Sequence, residues 1–367
     1  MAQTVRATDV TRFTVYHSPQ TPGYTCWAGV LLLPDGALMV TFNQATGPLS
    51  DRPSAPPEVL ERLSWPPAGK PGYDMTGTIQ QNMRIVSTDG GETWEVVHAE
   101  PWHSPMNGGM GSHTQAALAD GTIVRGVWGQ YLPFYDVPQT GYVQRSSDQG
   151  TTWSAPQVVM DPDEFMLFPK RLRLLRDGRL AMAGAFAELA AEPWTRGGLS
   201  GRLRPSLWLS ADGGRTWSAP ISIMPPQEDV RFSEESDFAE LPDGRLLFVH
   251  RADRPPSRWQ SLLEPDGEGY RVVSAGPAPF PHSGCPEMLW AREGVALHLA
   301  TSGISWTADA GESWHDLDIG GTGYYPSSVQ LPDGRIFCVF HRGSDNPYDG
   351  SVDQEIQAMT FRLTVGE

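Results

Sequence analysis

The sequence has little lysine and no long apolar run, and each shortage excludes a class of protein. Only Lys70 and Lys170 are lysines among 367 residues, and the formal net charge is −16. A nucleic-acid-binding protein needs a basic surface for phosphate groups, so we expect no nucleic-acid partner. No stretch reaches the roughly 18 apolar residues of a membrane span, so we expect no membrane partner either.

Cysteine is equally scarce. Cys26, Cys285 and Cys338 are an odd, widely spaced set, which predicts neither a disulfide framework nor a metal site. We therefore expect no metal and no cofactor. The first residues lack the apolar core of a signal peptide. The sequence thus predicts a cytoplasmic protein, and secretion after removal of a signal stays open.

Glycine (39 residues) and proline (33 residues) are abundant, and they punctuate a repeat. An apolar run, an Asp-Gly or Glu-Gly turn and a second apolar run occur six times. The turn acids are Asp35, Asp120, Asp177, Asp243, Glu293 and Asp333. An Asp-Gly pair between β-favouring runs is a strong hairpin signal, because a two-residue type I′ loop needs positive φ angles. The repeat therefore predicts six β-hairpins.

A second repeat, S-x-D-x-G-x-[ST]-W, alternates with the first. Its acids are Asp89, Asp148, Asp212 and Asp309, with a degenerate copy near Asp266. Two hairpins per unit make a four-stranded antiparallel sheet, and six such sheets bury their faces by closing around an axis. The sequence predicts an all-β, six-bladed β-propeller in one domain over residues 1–367. We expect residues 11–17 to complete the last blade and 43–82 to form a long loop insertion in blade 1.

In such a propeller, residues at a matching offset from each turn should meet in one axial pocket. Eight residues before the turn acids, this rule selects Trp27, Ser112, Pro169, Glu235, Cys285 and Tyr325. Eight residues after them, it selects Asn43, Trp128, Ala185, Arg251, Thr301 and His341. We therefore expect the carboxylate of Glu235, the phenol of Tyr325 and the guanidinium of Arg251 to line the same pocket.

The S-x-D-x-G-x-T-W repeat is the Asp box, and the chain resembles the sialidase superfamily over nearly its whole length. In that superfamily the boxes are structural: the Asp bonds turn amides and the Trp packs between strands. The segment ESDFAELPDGRLLFVHR resembles the one that carries a catalytic Glu and a substrate-binding Arg, here Glu235 and Arg251. YPSSVQLPDGRI resembles the nucleophile segment and places Tyr325. DMTGTIQQNMRIVSTDGG resembles the acid/base segment and places Asp74.

The resemblance implies a glycoside hydrolase that releases a terminal sugar from a glycan. A phenol, whose pKa is near 10, attacks only when a base takes its proton. A neutral nucleophile suits an anionic sugar, and sialidases depart in this way from two-carboxylate glycosidases. The base would be Glu235, the acid Asp74, and Arg251 would clamp a substrate carboxylate.

The sequence departs from the family at the substrate clamp. Sialidases use three arginines, and only Arg251 is clear here, with Cys26 near the expected place of another. Lys170, Arg171 and Arg342 are candidate replacements. His341 stands where an acid commonly follows the tyrosine hairpin, and we expect it to contact the substrate. Sialic acid itself is therefore not the expected substrate unless Lys170, Arg171 or Arg342 takes the place of a missing arginine.

Other interpretations remain open. An exo-arabinanase-like enzyme would use paired glutamates on a neutral sugar, with Glu235 beside Glu287 or Glu164. Trp27, Trp65 and Trp128 are candidate substrate contacts, because sugar rings stack on aromatic faces. A non-catalytic carbohydrate-binding propeller is a second alternative. A protein-interaction propeller is a third interpretation, since the fold alone does not fix function.

Overall fold

A computed structural model gives the architecture of the chain. It describes residues 4–48, 51–54, 56–58, 76–102, 114–128, 140–189, 199–280, 282, 284–344 and 352–366. Within these ranges, 24 strands form six four-stranded antiparallel sheets. The predicted six-bladed propeller is confirmed. No helix in the described part of the chain is long and apolar enough to cross a membrane.

The first strand, β1 (Thr4–His17), belongs to the last blade, and the other strands follow in chain order. Blades 1 and 2 contain β2 (Thr25–Leu32), β3 (Leu38–Thr46), β4 (Ile79–Ser87), β5 (Glu95–Trp102), β6 (Gln115–Ala117), β7 (Ile123–Val127), β8 (Tyr142–Ser146) and β9 (Gln157–Val158). Blades 3 and 4 contain β10 (Phe165–Leu174), β11 (Leu180–Leu189), β12 (Leu199–Ser210), β13 (Ile221–Ser222), β14 (Phe232–Glu240), β15 (Leu246–Ala252), β16 (Arg258–Asp266) and β17 (Gly269–Pro277). Blades 5 and 6 contain β18 (Glu287–Ala291), β19 (Val295–Ala300), β20 (Gly303–Thr307), β21 (His315–Asp316), β22 (Tyr324–Gln330), β23 (Ile336–Arg342) and β24 (Glu355–Gly366).

The six sheets close into a ring. The first strands of the blades contact one another in order, and β22 contacts β2. The strand β1 pairs with β24, as the sequence predicts, so residues 11–17 do complete the last blade. Apolar clusters between neighbouring blades supply the core, for example where Leu297 of blade 5 packs with Phe361 of blade 6.

The hairpin turns exist at all six predicted positions, but their type differs from the prediction. In blade 4 the Gly244 amide donates to the Leu241 carbonyl, and the Leu241 amide donates to the Arg245 carbonyl. Only Gly244 has a positive φ, at 84°. This is a three-residue loop, a type I turn followed by a left-handed glycine, and not the two-residue type I′ loop. Pro242 suits this turn, because its fixed negative φ matches the second position of a type I turn, although Ala119, Arg176 and Arg292 take that position in three other blades.

The Asp boxes have the structural role that the sequence analysis assigns to them. In the first box Asp89 accepts hydrogen bonds from the amides of Glu92 and Thr93, both at 3.0 Å, and from the Thr93 hydroxyl. The box tryptophan, Trp94, packs against Phe337 of blade 6 with ring centroids 5.9 Å apart. Each box thus ties off one outer hairpin and contributes to the contact between blades.

The long connections leave from the end of the ring opposite the Asp boxes. β3 and β4 continue into the predicted 43–82 insertion at both ends, because Asn43 pairs with Asn82 and Thr46 with Ile79. The connection is therefore 47–78. Second strands end where first strands begin, so these connections leave beside the starts of β2, β6, β10, β14, β18 and β22. Loops on one end of a rigid scaffold are a common place for binding and catalysis.

Candidate active site

Four inner strands carry a β-bulge near their start. The register shifts lie between Cys26 and Gly29, Pro169 and Arg171, Phe232 and Ser236, and Tyr324 and Ser327. Bulges re-aim side chains and are frequent beside active sites. Within two of them, Trp27 and Tyr325 have positive φ angles of 53° and 52°. Bulky residues rarely adopt this conformation, so packing must hold both in place.

The core of the candidate site is an ion pair between neighbouring strands. Arg251 Nη1 lies 2.7 Å from Glu235 Oε2, and the side chains are 40% and 5% exposed, respectively. Burial alone would raise the pKa of Glu235, but the charges of Lys170 and Arg251 outweigh it and hold that pKa below its usual value. The Glu235 charge in turn raises the pKa of Arg251. Glu235 is thus an ionised carboxylate at the base of the site, and Arg251 reaches toward solvent.

Tyr325 lies close to the same cations. Lys170 Nζ is 5.1 Å from the centroid of its ring, within cation–π range. A phenolate at Tyr325 would raise the pKa of Arg251 further, so the two side chains lie close together. Trp27 contacts Tyr325 edge-on, with ring centroids 6.3 Å apart. The structure therefore brings together Glu235, Arg251, Lys170 and Tyr325 from blades 3, 4 and 6.

His341 lies behind Tyr325 and is fully buried. Its ring stacks on Tyr325 with centroids 5.7 Å apart and on Tyr324 at 5.4 Å. The Trp27 amide donates to Nδ1 at 3.2 Å, so Nε2 carries the proton and donates to the Ser344 carbonyl at 3.1 Å. Burial lowers the pKa of His341 to about 4, which keeps the ring neutral. His341, predicted as a substrate contact, therefore lies against Trp27 and Tyr325 and supports the strained backbone of both residues.

A buried network of four charges continues from the site along the same strands. Arg171 lies 2.5 Å from Glu287 and 3.2 Å from Asp237, while Arg173 lies 2.7 Å from Asp237 and 3.6 Å from Glu287. Ser328 donates its amide and hydroxyl to Glu287. Burial raises the pKa of Glu287 to about 7. The structure thus places Arg171 and Glu287 against each other, in a network that joins blades 3 to 6.

The remaining predicted site residues have different surroundings. The Trp128 indole donates to the Pro169 carbonyl at 2.7 Å, which ties blade 2 to blade 3 and leaves the ring half-buried. Arg342 is exposed at the end of β23, and Glu164 is exposed just before β10. Asp74 lies outside the described residues, so its role stays a prediction.

Two charged residues of the site are missed by the offset rule. Glu234 precedes Glu235 inside the bulge of β14, and Arg258 adds a third positive charge near Glu235. The Glu-Glu pair at the start of β14 is the sequence signal that could have drawn attention to Glu234. No cluster of three or more His, Cys, Asp or Glu side chains able to hold a metal is found in the part of the chain that the structure describes.

The six blades and the Asp boxes define an Asp-box propeller. Its candidate site is the charged cluster at the starts of the inner strands. A family model described as BNR/Asp-box repeat matches residues 85–96. A sialidase from Bacteroides fragilis is 24% identical over 246 residues, which is 59% of this chain and 42% of that protein. The chain therefore spans less than half the length of this curated relative.

Solved structures support the same architecture. A protein of unknown function from Dyadobacter fermentans is 17% identical with a TM-score of 0.66, covering 98% of this chain and 99% of that one. The α-L-arabinofuranosidase Arb93A from Fusarium graminearum, solved with an iminosugar inhibitor, is 16% identical with a TM-score of 0.60, covering 96% and 97%. At these identities the likeness concerns the fold.

Proposed function

We propose that this protein is a glycoside hydrolase that releases a terminal sugar from a glycan. The observation that carries the proposal is the meeting of Glu235, Arg251, Lys170 and Tyr325 at the loop-bearing end of the propeller. The similarity to a sialidase and the fold shared with an arabinofuranosidase support it.

Tyr325 is the proposed nucleophile. Lys170 and Arg251 bring positive charge to the phenol, and positive charge favours the phenolate that attacks the anomeric carbon. Glu235 is held ionised by its cations and so is available to accept the phenol proton. Trp27 and His341 fix the Tyr325 ring from its edge and its face, which limits the orientations that the nucleophile can take.

The charge of the site favours an anionic sugar. Three cations, Lys170, Arg251 and Arg258, act on Glu235, although the whole chain carries a net charge of −16. Of the candidate replacements for the missing arginines, Lys170 is the one that reaches Tyr325. A substrate carboxylate beside Lys170 and Arg251 would gain charge-assisted hydrogen bonds. We propose a carboxylated terminal sugar as the substrate class.

A panel of aryl glycosides tests this function. It should contain sialosides, uronides and neutral arabinofuranosides, assayed with wild type, Tyr325→Phe and Glu235→Gln. We expect turnover of a carboxylated glycoside, and each substitution should lower kcat by at least about 10³-fold. Tyr324→Phe is the matched control, because it removes a neighbouring phenol hydroxyl while keeping the ring stacked on His341.

Two results would count against the proposal. Wild type that binds glycans but turns over no member of the panel would indicate a carbohydrate-binding propeller. Turnover that survives Tyr325→Phe and fails in Glu235→Gln would leave hydrolysis standing and transfer the nucleophile role to the carboxylate.

A further inference from the structure

The bulge at the start of β14 places two consecutive glutamates opposite one residue. Phe232 pairs with Ala252 and Ser236 pairs with His250, so residues 233–235 together face Arg251. The Glu235 amide donates to the Ser233 hydroxyl at 3.1 Å, which closes the bulge. In a regular strand neighbouring side chains point to opposite faces, and a bulge removes that alternation.

The two carboxylates have different partners. Glu235 bonds Arg251 directly, whereas Glu234 forms no ion pair among the described residues. The groups whose charges act on half-buried Glu234 are Glu235 on its own strand, Lys170 on β10 and Arg251 on β15. Burial and the Glu235 charge raise the pKa of Glu234 despite the two cations. One member of the pair thus stays ionised beside its arginine while the other retains a proton more readily.

From this arrangement we propose that Glu234 is the proton donor to the leaving group. This inference rests on the proposed hydrolase function and adds a catalytic residue to it. Acid and base roles at one site are usually divided between two titratable groups whose surroundings shift their pKa values in opposite directions. The same bulge would therefore supply both the base, Glu235, and the acid, Glu234.

The proposed reaction has two steps, cleavage of the glycosidic bond and hydrolysis of the glycosyl intermediate. Glu234 gives its proton to the glycosidic oxygen, and the electron pair of the breaking C–O bond stays on that oxygen. Tyr325 Oη bonds to the anomeric carbon, and its proton passes to Glu235. Water then attacks the anomeric carbon and gives a proton to the Glu234 carboxylate, while the departing Tyr325 oxygen recovers its proton from Glu235. Both carboxylates end in their starting states.

Leaving-group dependence tests the assignment. Glu234→Gln is assayed on two glycosides of the sugar that wild type accepts, one with dinitrophenol and one with an alkyl alcohol as the leaving group. We expect kcat/KM, which reports cleavage of the leaving group, to fall by about 10²–10⁴-fold on the alkyl glycoside and far less on the dinitrophenyl glycoside, which needs no proton. Azide, acting as an external nucleophile or base, should restore part of any lost turnover of the glycosyl intermediate.

Matched variants make the result specific. Glu240→Gln, at the far end of β14, should leave both rates unchanged and controls for the substitution itself. Asp74→Asn tests the acid predicted from the sequence. Equal losses of Glu234→Gln on both substrates, no loss on either, or the leaving-group signature appearing in Asp74→Asn instead would overturn the inference. An inactive wild type would count against the hydrolase function itself, which separates the two failures.

Discussion

Asp237 is the carboxylate whose neutralisation should cost the most stability. It is 1% exposed and lies 2.7 Å from Arg173 and 3.2 Å from Arg171, and it also accepts the Met288 amide at 2.6 Å. Asp237→Asn keeps the shape but leaves both guanidinium groups facing Glu287 alone. Removing one partner of a buried ion pair costs about 3–5 kcal/mol. We therefore expect this variant to be destabilised by that amount.

The loss can be measured as a melting temperature by calorimetry. At about 2.1 cal/mol/K per residue, a 367-residue chain unfolds with an entropy near 0.8 kcal/mol/K, so the expected shift is about 4–6 °C downward. The control is Asp243→Asn in an exposed turn pair with Arg245, which should cost under about 1 kcal/mol. Adding Arg173→Met to Asp237→Asn should recover part of the loss by removing the surplus charge. If Asp237→Asn has the same melting temperature as Asp243→Asn, the buried charge network does not stabilise the ring.

Three further predictions concern the site and the boxes. Lys170→Gln should raise KM for a carboxylated glycoside by about 10–100-fold, because one charge-assisted hydrogen bond is lost. KM for a neutral glycoside should barely change, and equal effects on both glycosides would contradict the anionic substrate class. His341→Phe keeps a ring against Tyr325 but removes a buried hydrogen-bond acceptor. We therefore expect kcat to fall by about tenfold or more with little change in KM. Steady-state kinetics that show only a change in KM would exclude the positioning role of His341. Hydrogen bonds from threonine hydroxyls and amides hold the pKa values of Asp89 and Asp148 below the usual range. Their stabilisation is therefore present above the unfolded pKa near 4 and is lost as pH falls below it. The difference in melting temperature between wild type and Asp89→Asn should therefore be constant between pH 7 and 5 and should shrink at lower pH.

The architecture is readable from the sequence because its signals are local. Each Asp-Gly turn and each Asp box lies within a few residues of the strands that it joins, and six copies fix the number of blades. The turn type is misjudged because Asp-Gly alone suggests a two-residue loop, whereas here the glycine ends a three-residue loop. Proline precedes the acid in only three of the six turns, so no single neighbouring residue sets the turn type.

The site is only partly readable because its pairings join distant strands. The offset rule groups Glu235 with Arg251 and Tyr325, and the structure brings these three together. It does not reveal that Arg171 and Glu287 lie 2.5 Å apart, since that contact joins blades 3 and 5. Glu234 is missed because strict alternation turns it away from the axis, and the offset rule does not anticipate the bulge. Asp74 stays a prediction.

Because β1 pairs with β24, the ring cannot close until β24 has been synthesised. Thr11 and Thr360 are 349 positions apart, and their hydroxyl oxygens lie 2.7 Å from each other. At about 5–20 residues per second, a ribosome needs roughly 20–70 s to separate the emergence of these two strands. Throughout that interval β1 is a strand without its partner, and unpaired strand edges are the kind of segment that pairs with the wrong chain.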